Sequence, residues 1–346
     1  MSARLSLRDR VALRVARGLE EGTWNGSVAN ALSRAWGELA ARALARPLVW
    51  SDRVRVLAVG GATLGGSGKT PLAIACARAL AETGASVALV AHGYRAKPGG
   101  ARVVHAGDRL FEVGDEAIVA ARALAGIACV VVARSRQAAV DLAAERADVV
   151  VLDGVLQTAP ARASLSLLAL DAESPWGAGE VVPRGDLRAA RGALLDACDG
   201  AVILRDEEEG GERSLVLQAR WGARVRSRGA FVSGALVPWG ALAPLRLGLF
   251  VALARPARVL ALLARRGVMP RRVVRLPDHG VSAPAQLSLL RSDPSVDLWL
   301  ATPKCALQLE AAGLPHAVLD HALELDAELL ASLRALPRAL RELRKL

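Results

Sequence analysis

Lysine is almost missing from this chain. Of 346 residues, only Lys69, Lys97, Lys304 and Lys345 are lysine. The formal net charge of +11 is therefore carried almost wholly by arginine. Aromatic residues are nearly as scarce, at 3%. Without aromatics interleaved among basic residues there is little on which bases could stack, so the charge does not point to nucleic acid. Two readings of it stay open: an anionic membrane or substrate, or a compositional preference for arginine. Cysteine is sparse and scattered. Cys76, Cys129, Cys198 and Cys305 form no CxxC pair, which leaves zinc and redox motifs unsupported and fits a reducing compartment. The opening MSARLSLRDRVALRVARG lacks the uninterrupted apolar core of a secretory signal. No run of about eighteen uncharged apolar residues is available to span a bilayer. The nearest, 229–245, is broken by Gly234, Pro238, Gly240 and Pro244. Intrinsic disorder is excluded by a chain that is 53% hydrophobic and 23% charged.

Against this background one stretch stands out, Val54 to Pro71, VRVLAVGGATLGGSGKTP. Val54 to Val59 is apolar apart from Arg55 and is predicted to be a buried parallel strand. A glycine-rich turn and Lys69-Thr70 follow. Then Leu72, Ile74, Ala75, Ala79 and Leu80 recur with the spacing of a helix that has an apolar face. Strand, glycine loop, Gly-Lys-Thr and helix together are the layout of a phosphate-binding loop. Gly65, Gly66 and Gly68 let successive backbone N–H groups turn inward, and Ser67 lies among them. The helix N-terminus adds partial positive charge. Lys69 is expected on the β- and γ-phosphates of a nucleotide and the Thr70 hydroxyl on Mg²⁺. The position that usually holds the motif's first glycine is Thr63. A lysine in this loop, in a chain so poor in lysine, is not background composition.

Residues 1–50 are expected to be basic, amphipathic and helical, with Trp24, Trp36 and Trp50 in or beside them. Two readings compete: a helix pair packed on the domain, or a segment lying on an anionic membrane. Residues 51–212 alternate strands (86–91, 129–133, 148–152, 165–170, 200–204) with helices. This is the pattern of a doubly wound parallel sheet, so the fold class is α/β, like the phosphate-loop nucleoside triphosphatases. Residues 213–325 read as a smaller α/β unit reached by an extended linker, with extended, antiparallel-type pieces at 215–219 and 230–232. Residues 326–346 read as a helical tail. Asp153, closing an apolar strand, is a candidate for the metal side of the site or for a turn. Asp115 follows glycine at a helix start, where capping is the plain role. His279 follows Asp278 in a turn after a strand, and such a couple can deprotonate an alcohol attacking a γ-phosphate.

The order and wording of these motifs resemble the tetraacyldisaccharide 4'-kinase (lipid A 4'-kinase) family over about residues 36–309. The family's VGNxTxGGTGKTP loop meets Val59 to Pro71, so Thr63 belongs to the family pattern. Its SRGYGG is similar to the stretch Ala91 to Ala96, its VGDE is intact at Val113 to Glu116, and its DDGLQH resembles Asp153 to Thr158. Its PAGPLR is similar to Pro183 to Arg188, its FPDH to Leu276 to His279, and its TEKD to Thr302 to Cys305. The resemblance implies an enzyme that uses ATP and Mg²⁺ to phosphorylate the 4'-hydroxyl of a tetraacylated glucosamine disaccharide, a lipid A precursor. It implies a peripheral protein at the cytoplasmic face of the inner membrane. It places Thr63 to Thr70 on the nucleotide, Thr70 and Asp153 on the metal, and Asp115 with His279 on the sugar hydroxyl. Tyr94, Gln157 and Arg188 are further substrate candidates. The lipid substrate favours the membrane reading of the N-terminal helices.

The chain departs from the pattern at Gly154 and Val155 in DDG, at Thr158, at His92 for the arginine of SRGY, and at Pro303 and Cys305 in TEKD. Gly61 and Ala178 replace asparagines. A working but diverged kinase is the expectation. A catalytically impaired ATP-binding relative with a regulatory or scaffolding role, and an ATPase acting on a non-lipid partner, are its rivals.

Overall fold

The computed structural model describes residues 7–44, 48–93, 96–156, 162–206, 219–278, 280–282 and 284–343. It falls into two compact bodies, Glu21–Val225 with Leu323–Leu346, and Arg226–Ala322 with the chain up to Glu20.

The chain opens with helices α1 (Leu7–Glu21) and α2 (Ser27–Ala43). The phosphate-loop body continues through β1 (Arg55–Gly61), α3 (Lys69–Ala81), β2 (Val87–Val90), β3 (Arg102–Val103), α4 (Leu110–Val113), α5 (Asp115–Ala123) and β4 (Cys129–Val132). Then follow α6 (Arg136–Ala144), β5 (Val149–Asp153), β6 (Leu165–Asp171), α7 (Arg191–Asp196), β7 (Gly200–Asp206) and β8 (Ala219–Arg226). The second body adds β9 (Gly229–Val232), β10 (Ala235–Pro238), α8 (Trp239–Leu242), β11 (Leu247–Ala252), α9 (Pro256–Arg265) and β12 (Arg272–Leu276). It continues with α10 (Pro284–Arg291), β13 (Leu298–Ala301), α11 (Pro303–Ala311) and β14 (His316–Leu319). The chain ends on β15 (Ala322–Leu325) and α12 (Ala327–Leu343).

Among the described residues the first sheet has nine strands in the order β15-β8-β7-β6-β1-β5-β2-β4-β3. β1 pairs in parallel with both β5 and β6 as a central strand, and every residue after Arg55 is buried, so both of its faces are covered. That double coverage is why its sequence is a continuous apolar run instead of an alternating one. The pairing sets Val59 opposite Asp153, and Gly154 N–H donates to Val59 O at 2.8 Å. The start of the glycine loop and the strand-end carboxylate are thereby placed side by side at the carboxyl edge of the sheet, where ligands of open α/β sheets bind.

Several elements differ from the sequence expectation. The helix start expected at Asp115 is preceded by a separate short helix, because Gly114 takes φ 89°, a conformation that ends α4 and restarts the chain as α5. Of the piece expected at 215–219, residues 215–218 lie outside the described residues. β8 starts at Ala219 and runs parallel to β7, whereas β9 is antiparallel to both β10 and β14 as expected. The C-terminal helix is no appendage: α12 packs against α3, with Leu329 and Leu333 fully buried.

Among the described residues the second body holds a six-stranded sheet in the order β10-β9-β14-β13-β11-β12. β11 alternates between two cores. Leu247, Leu249 and Val251 pack with Leu263 and Leu300, while Phe250 and Ala252 pack with Trp299, Cys305 and Leu309.

Candidate active site

The loop between β1 and α3 shows why glycine is needed where it stands. Gly66 and Gly68 hold φ of 72° and 76°, and Gly68 is the N-cap of α3. A side chain at either position would be strained. A Cβ on Gly61 would overlap the Ser67 hydroxyl. Thr63 is 1% exposed, and its Oγ1 donates to Gly65 O at 2.8 Å. The threonine side chain thus closes the turn from within, so that position needs no glycine.

Lys69 and Thr70 are the first two residues of α3. Thr70 Oγ1 donates to Asp153 Oδ2 at 2.7 Å. Asp153 is fully buried, and its Oδ1 has no hydrogen-bond partner among the described residues. Burial pushes its carboxyl pKa up, Lys69 pulls it down, Glu116 raises it, and the Thr70 bond and Arg136 lower it again. A buried carboxylate with one unsatisfied oxygen, next to a hydroxyl at the start of a phosphate loop, suits a hard divalent cation. Lys69 Nζ lies 3.6 Å from Glu116 Oε1. Arg136 donates from Nη1 to Asp153 O at 2.8 Å.

The segment around Pro183 is tied directly to this loop. Leu64 N–H donates to Asp186 O at 2.8 Å, and Arg188 N–H donates to Ala62 O at 2.9 Å. The Arg188 guanidinium then forks onto two loop carbonyls, Nε to Thr63 O at 2.8 Å and Nη2 to Leu64 O at 3.1 Å. Burial lowers its pKa, opposed by Glu116 and Asp153. Arg188, expected among the substrate groups, therefore has its guanidinium on the phosphate loop itself.

Asp115 is the first residue of α5, one position after the Gly114 N-cap, and its Oδ1 accepts from Glu116 N–H at 2.8 Å. The structure thus brings Lys69, Thr70, Asp153 and Arg188 together with three residues that sequence reasoning did not place in the site: Glu116, Arg136 and His92. Glu116 was legible as the last residue of the VGDE pattern. Arg136 follows Ser135, whose side chain caps α6, and had no motif of its own. His92 has its pKa lowered to about 4, by desolvation first and by Arg136 second, with Glu116 opposing and Lys69 and Arg188 adding. Tyr94, Gln157 and His279 lie outside the described residues. In the second body, Asp278, beside His279 in sequence, pairs with Lys304 at 2.8 Å.

Comparison with known proteins matches residues 30–340 to the LpxK family, described as tetraacyldisaccharide-1-P 4'-kinase. This chain belongs to that family. A tetraacyldisaccharide 4'-kinase from Methylobacterium sp. (strain 4-46) is 34% identical over 308 residues, covering 87% of this chain and 89% of the relative. One from Methylorubrum populi is 35% identical over 322 residues, covering 89% and 94%. Among solved structures, an "apo" form of LpxK from Aquifex aeolicus in complex with ATP superposes with a TM-score of 0.66. It is 21% identical and covers 89% of this chain and 97% of that one, which establishes a shared fold.

Proposed function

We propose that this protein transfers the γ-phosphate of ATP to the 4'-hydroxyl of a tetraacylated glucosamine disaccharide, the reaction for which its relatives are named. The observation that carries the reading is the Thr70–Asp153 couple at the head of the glycine loop, with Lys69 beside it. Backbone N–H groups of Gly65 to Thr70 cradle the phosphates, and the α3 N-terminus supports their charge. The Lys69 ammonium exchanges Glu116 for a phosphate oxygen, and Arg188 keeps the loop in shape while this happens. Thr70 and Asp153 would hold Mg²⁺, which, when bound, neutralises charge on the phosphate oxygens. Asp115 accepts the proton of the attacking hydroxyl as the new O–P bond forms and the bond to ADP breaks. For His279 the family pattern supports the same step.

No helix among the described residues is long and apolar enough to cross a membrane. α2 nevertheless exposes Val28 at 72%, Leu32 at 56%, Trp36 at 44% and Leu39 at 58%, with Arg34 and Arg42 on the same helix. We read this as the face that meets an anionic bilayer, giving a peripheral enzyme on the cytoplasmic side of the inner membrane.

The test is transfer of labelled γ-phosphate to a tetraacyl disaccharide in detergent with Mg²⁺, comparing the wild type with Lys69→Ala and Asp115→Ala. Product from the wild type alone is expected. ATP binding without product in the wild type would mean that the missing carboxylate at Gly154 is decisive and the chain is an impaired relative.

A further inference from the structure

We propose that Lys304 and Gln308 are positioning residues, and that one face of α11 fixes the chain on both sides of position 279, at Asp278 before it and at Gly280 and Ser282 after it. The attachment is read from geometry alone. The importance of the turn rests on the phosphotransfer reading above.

Lys304 Nζ lies 2.8 Å from Asp278 Oδ1, on the residue before His279. One helical turn further along α11, Gln308 grips the other side twice. Its Nε2 donates to Gly280 O at 2.8 Å, and its Oε1 accepts from Ser282 N–H at 2.9 Å. A spacing of four residues puts both side chains on one face of the helix. The turn is closed by Gly280 N–H donating to Pro277 O at 2.7 Å. A Cβ on Gly280 would sit 2.7 Å from that same oxygen, so the turn also excludes a side chain there.

The helix that does the holding is itself fixed. Thr302 caps it, its hydroxyl accepting from Cys305 N–H at 3.4 Å. Pro303 stands at the first helical position, where a missing N–H costs nothing. Cys305 is 1% exposed and its Sγ accepts from Ala252 N–H at 3.2 Å, at the carboxyl end of β11. Leu309 is fully buried in the core beneath. The turn is thus referenced to the sheet through a single rigid element.

The choice of lysine supports this role. The chain uses arginine almost everywhere else, and Lys304 is one of four lysines. A guanidinium tends to take both oxygens of a carboxylate, whereas an ammonium is a compact point charge on a flexible stem. The Lys304 and Asp278 side chains are 18% and 31% exposed, a setting in which an ion pair adds little to global stability. Its value is orientation.

The experiment uses the full chain as Lys304→Met, Lys304→Arg and Gln308→Ala, read by amide hydrogen exchange across 277–282 and by steady-state kinetics. Exchange at Gly280 and Ser282 is expected to rise about tenfold in Gln308→Ala and in Lys304→Met, with the rest of the second body unchanged. The kcat of Lys304→Met is expected to fall about 10–100-fold at unchanged KM for ATP, since small misplacements of reacting groups cost that much. Lys304→Arg should recover part of it. Asp278→Asn combined with Lys304→Met should cost less than the two single losses added together, because the lysine acts through that carboxylate. Unchanged exchange in both variants overturns the proposal whatever the kinetics show. Faster exchange at wild-type kcat overturns it too. A wild type that transfers no phosphate refutes the phosphotransfer reading, and the exchange results still decide whether α11 holds the turn.

Discussion

Replacing Arg188 by methionine isolates the contribution of the fork on the phosphate loop. Methionine keeps the aliphatic stem and leaves untouched the backbone bonds from Arg188 N–H to Ala62 O and from Leu64 N–H to Asp186 O. What disappears is the pair of bonds to Thr63 O and Leu64 O, at 2.8 and 3.1 Å. Hydrogen bonds from a charged donor are worth ~1.5–3 kcal/mol each, and the Leu64 bond, at the solvent end, is at the low limit. About 3 kcal/mol of local restraint is therefore removed. Global stability falls by less, because the freed carbonyls can rehydrate as the loop moves. A loss of ~1 kcal/mol, or 2–4 °C in Tm for a body of this size, is expected. The remainder is charged to binding, since ATP must reorder the loop itself. Its Kd should weaken about 10–100-fold. Arg188→Lys separates shape from charge: it keeps the cation but reaches only one carbonyl, and its affinity should fall between the other two. Calorimetric titration with MgATP and a thermal scan measure both quantities. If Arg188→Met binds ATP within about threefold of wild type, the fork does not preorganise the loop and the reasoning fails.

The remaining expectations concern the same site. Thr70→Val leaves both oxygens of the buried Asp153 carboxylate without a hydrogen bond and should cost ~1–3 kcal/mol in urea unfolding. No change in midpoint would show that the carboxylate has another partner. Gly154→Asp places a Cβ 3.4 Å from Lys69 Cε at φ +78°. It should lower stability by ~1 kcal/mol and raise kcat by about tenfold, and an unchanged or slower rate would show that the missing carboxylate has been compensated. His92 has a folded pKa of about 4, below the ordinary 6.5, so the folded state binds fewer protons between those values. Its contribution is present above pH 6.5 and is lost as pH falls toward 4, by less than ~1 kcal/mol for a ring partly in solvent. Wild type should therefore lose more urea resistance than His92→Gln between pH 7 and pH 5, and equal losses would refute the assignment.

What could be read from the sequence was local. β1, its loop and α3 occupy one continuous stretch, and the apolar run, the glycines and the Gly-Lys-Thr each report on neighbours along the chain. Asp153 was visible because it ends a strand whose burial shows in its composition. The fork of Arg188 joins residues 125 positions apart, and no spacing rule connects them. The Lys69–Glu116 contact likewise exists only because α5 lies beside the sheet. β14 and α11 are two of the described elements that had not been expected. β14 is four residues long and pairs with strands on both sides, so tertiary contacts, not its own pattern, make it a strand. α11 is announced by Thr302-Pro303, a cap and first-turn signal easily taken for a loop. The direction of β8 was hidden because the residues on either side of a strand do not say which neighbour it joins.

One layer of structure separates α2 from the nucleotide loop. Ser33 Oγ donates to Val181 O at 2.8 Å, and a Cβ on Gly37 would lie 3.6 Å from the Val181 side chain. Leu187 bridges Val181 on one side and Thr63 on the other, and the next residue, Arg188, grips the loop. α2 and the glycine loop are thus joined through Val181, Leu187 and Arg188. Substitutions at Ser33 or Gly37 are therefore expected to reach the loop that Arg188 holds, and to be read as a change in nucleotide affinity.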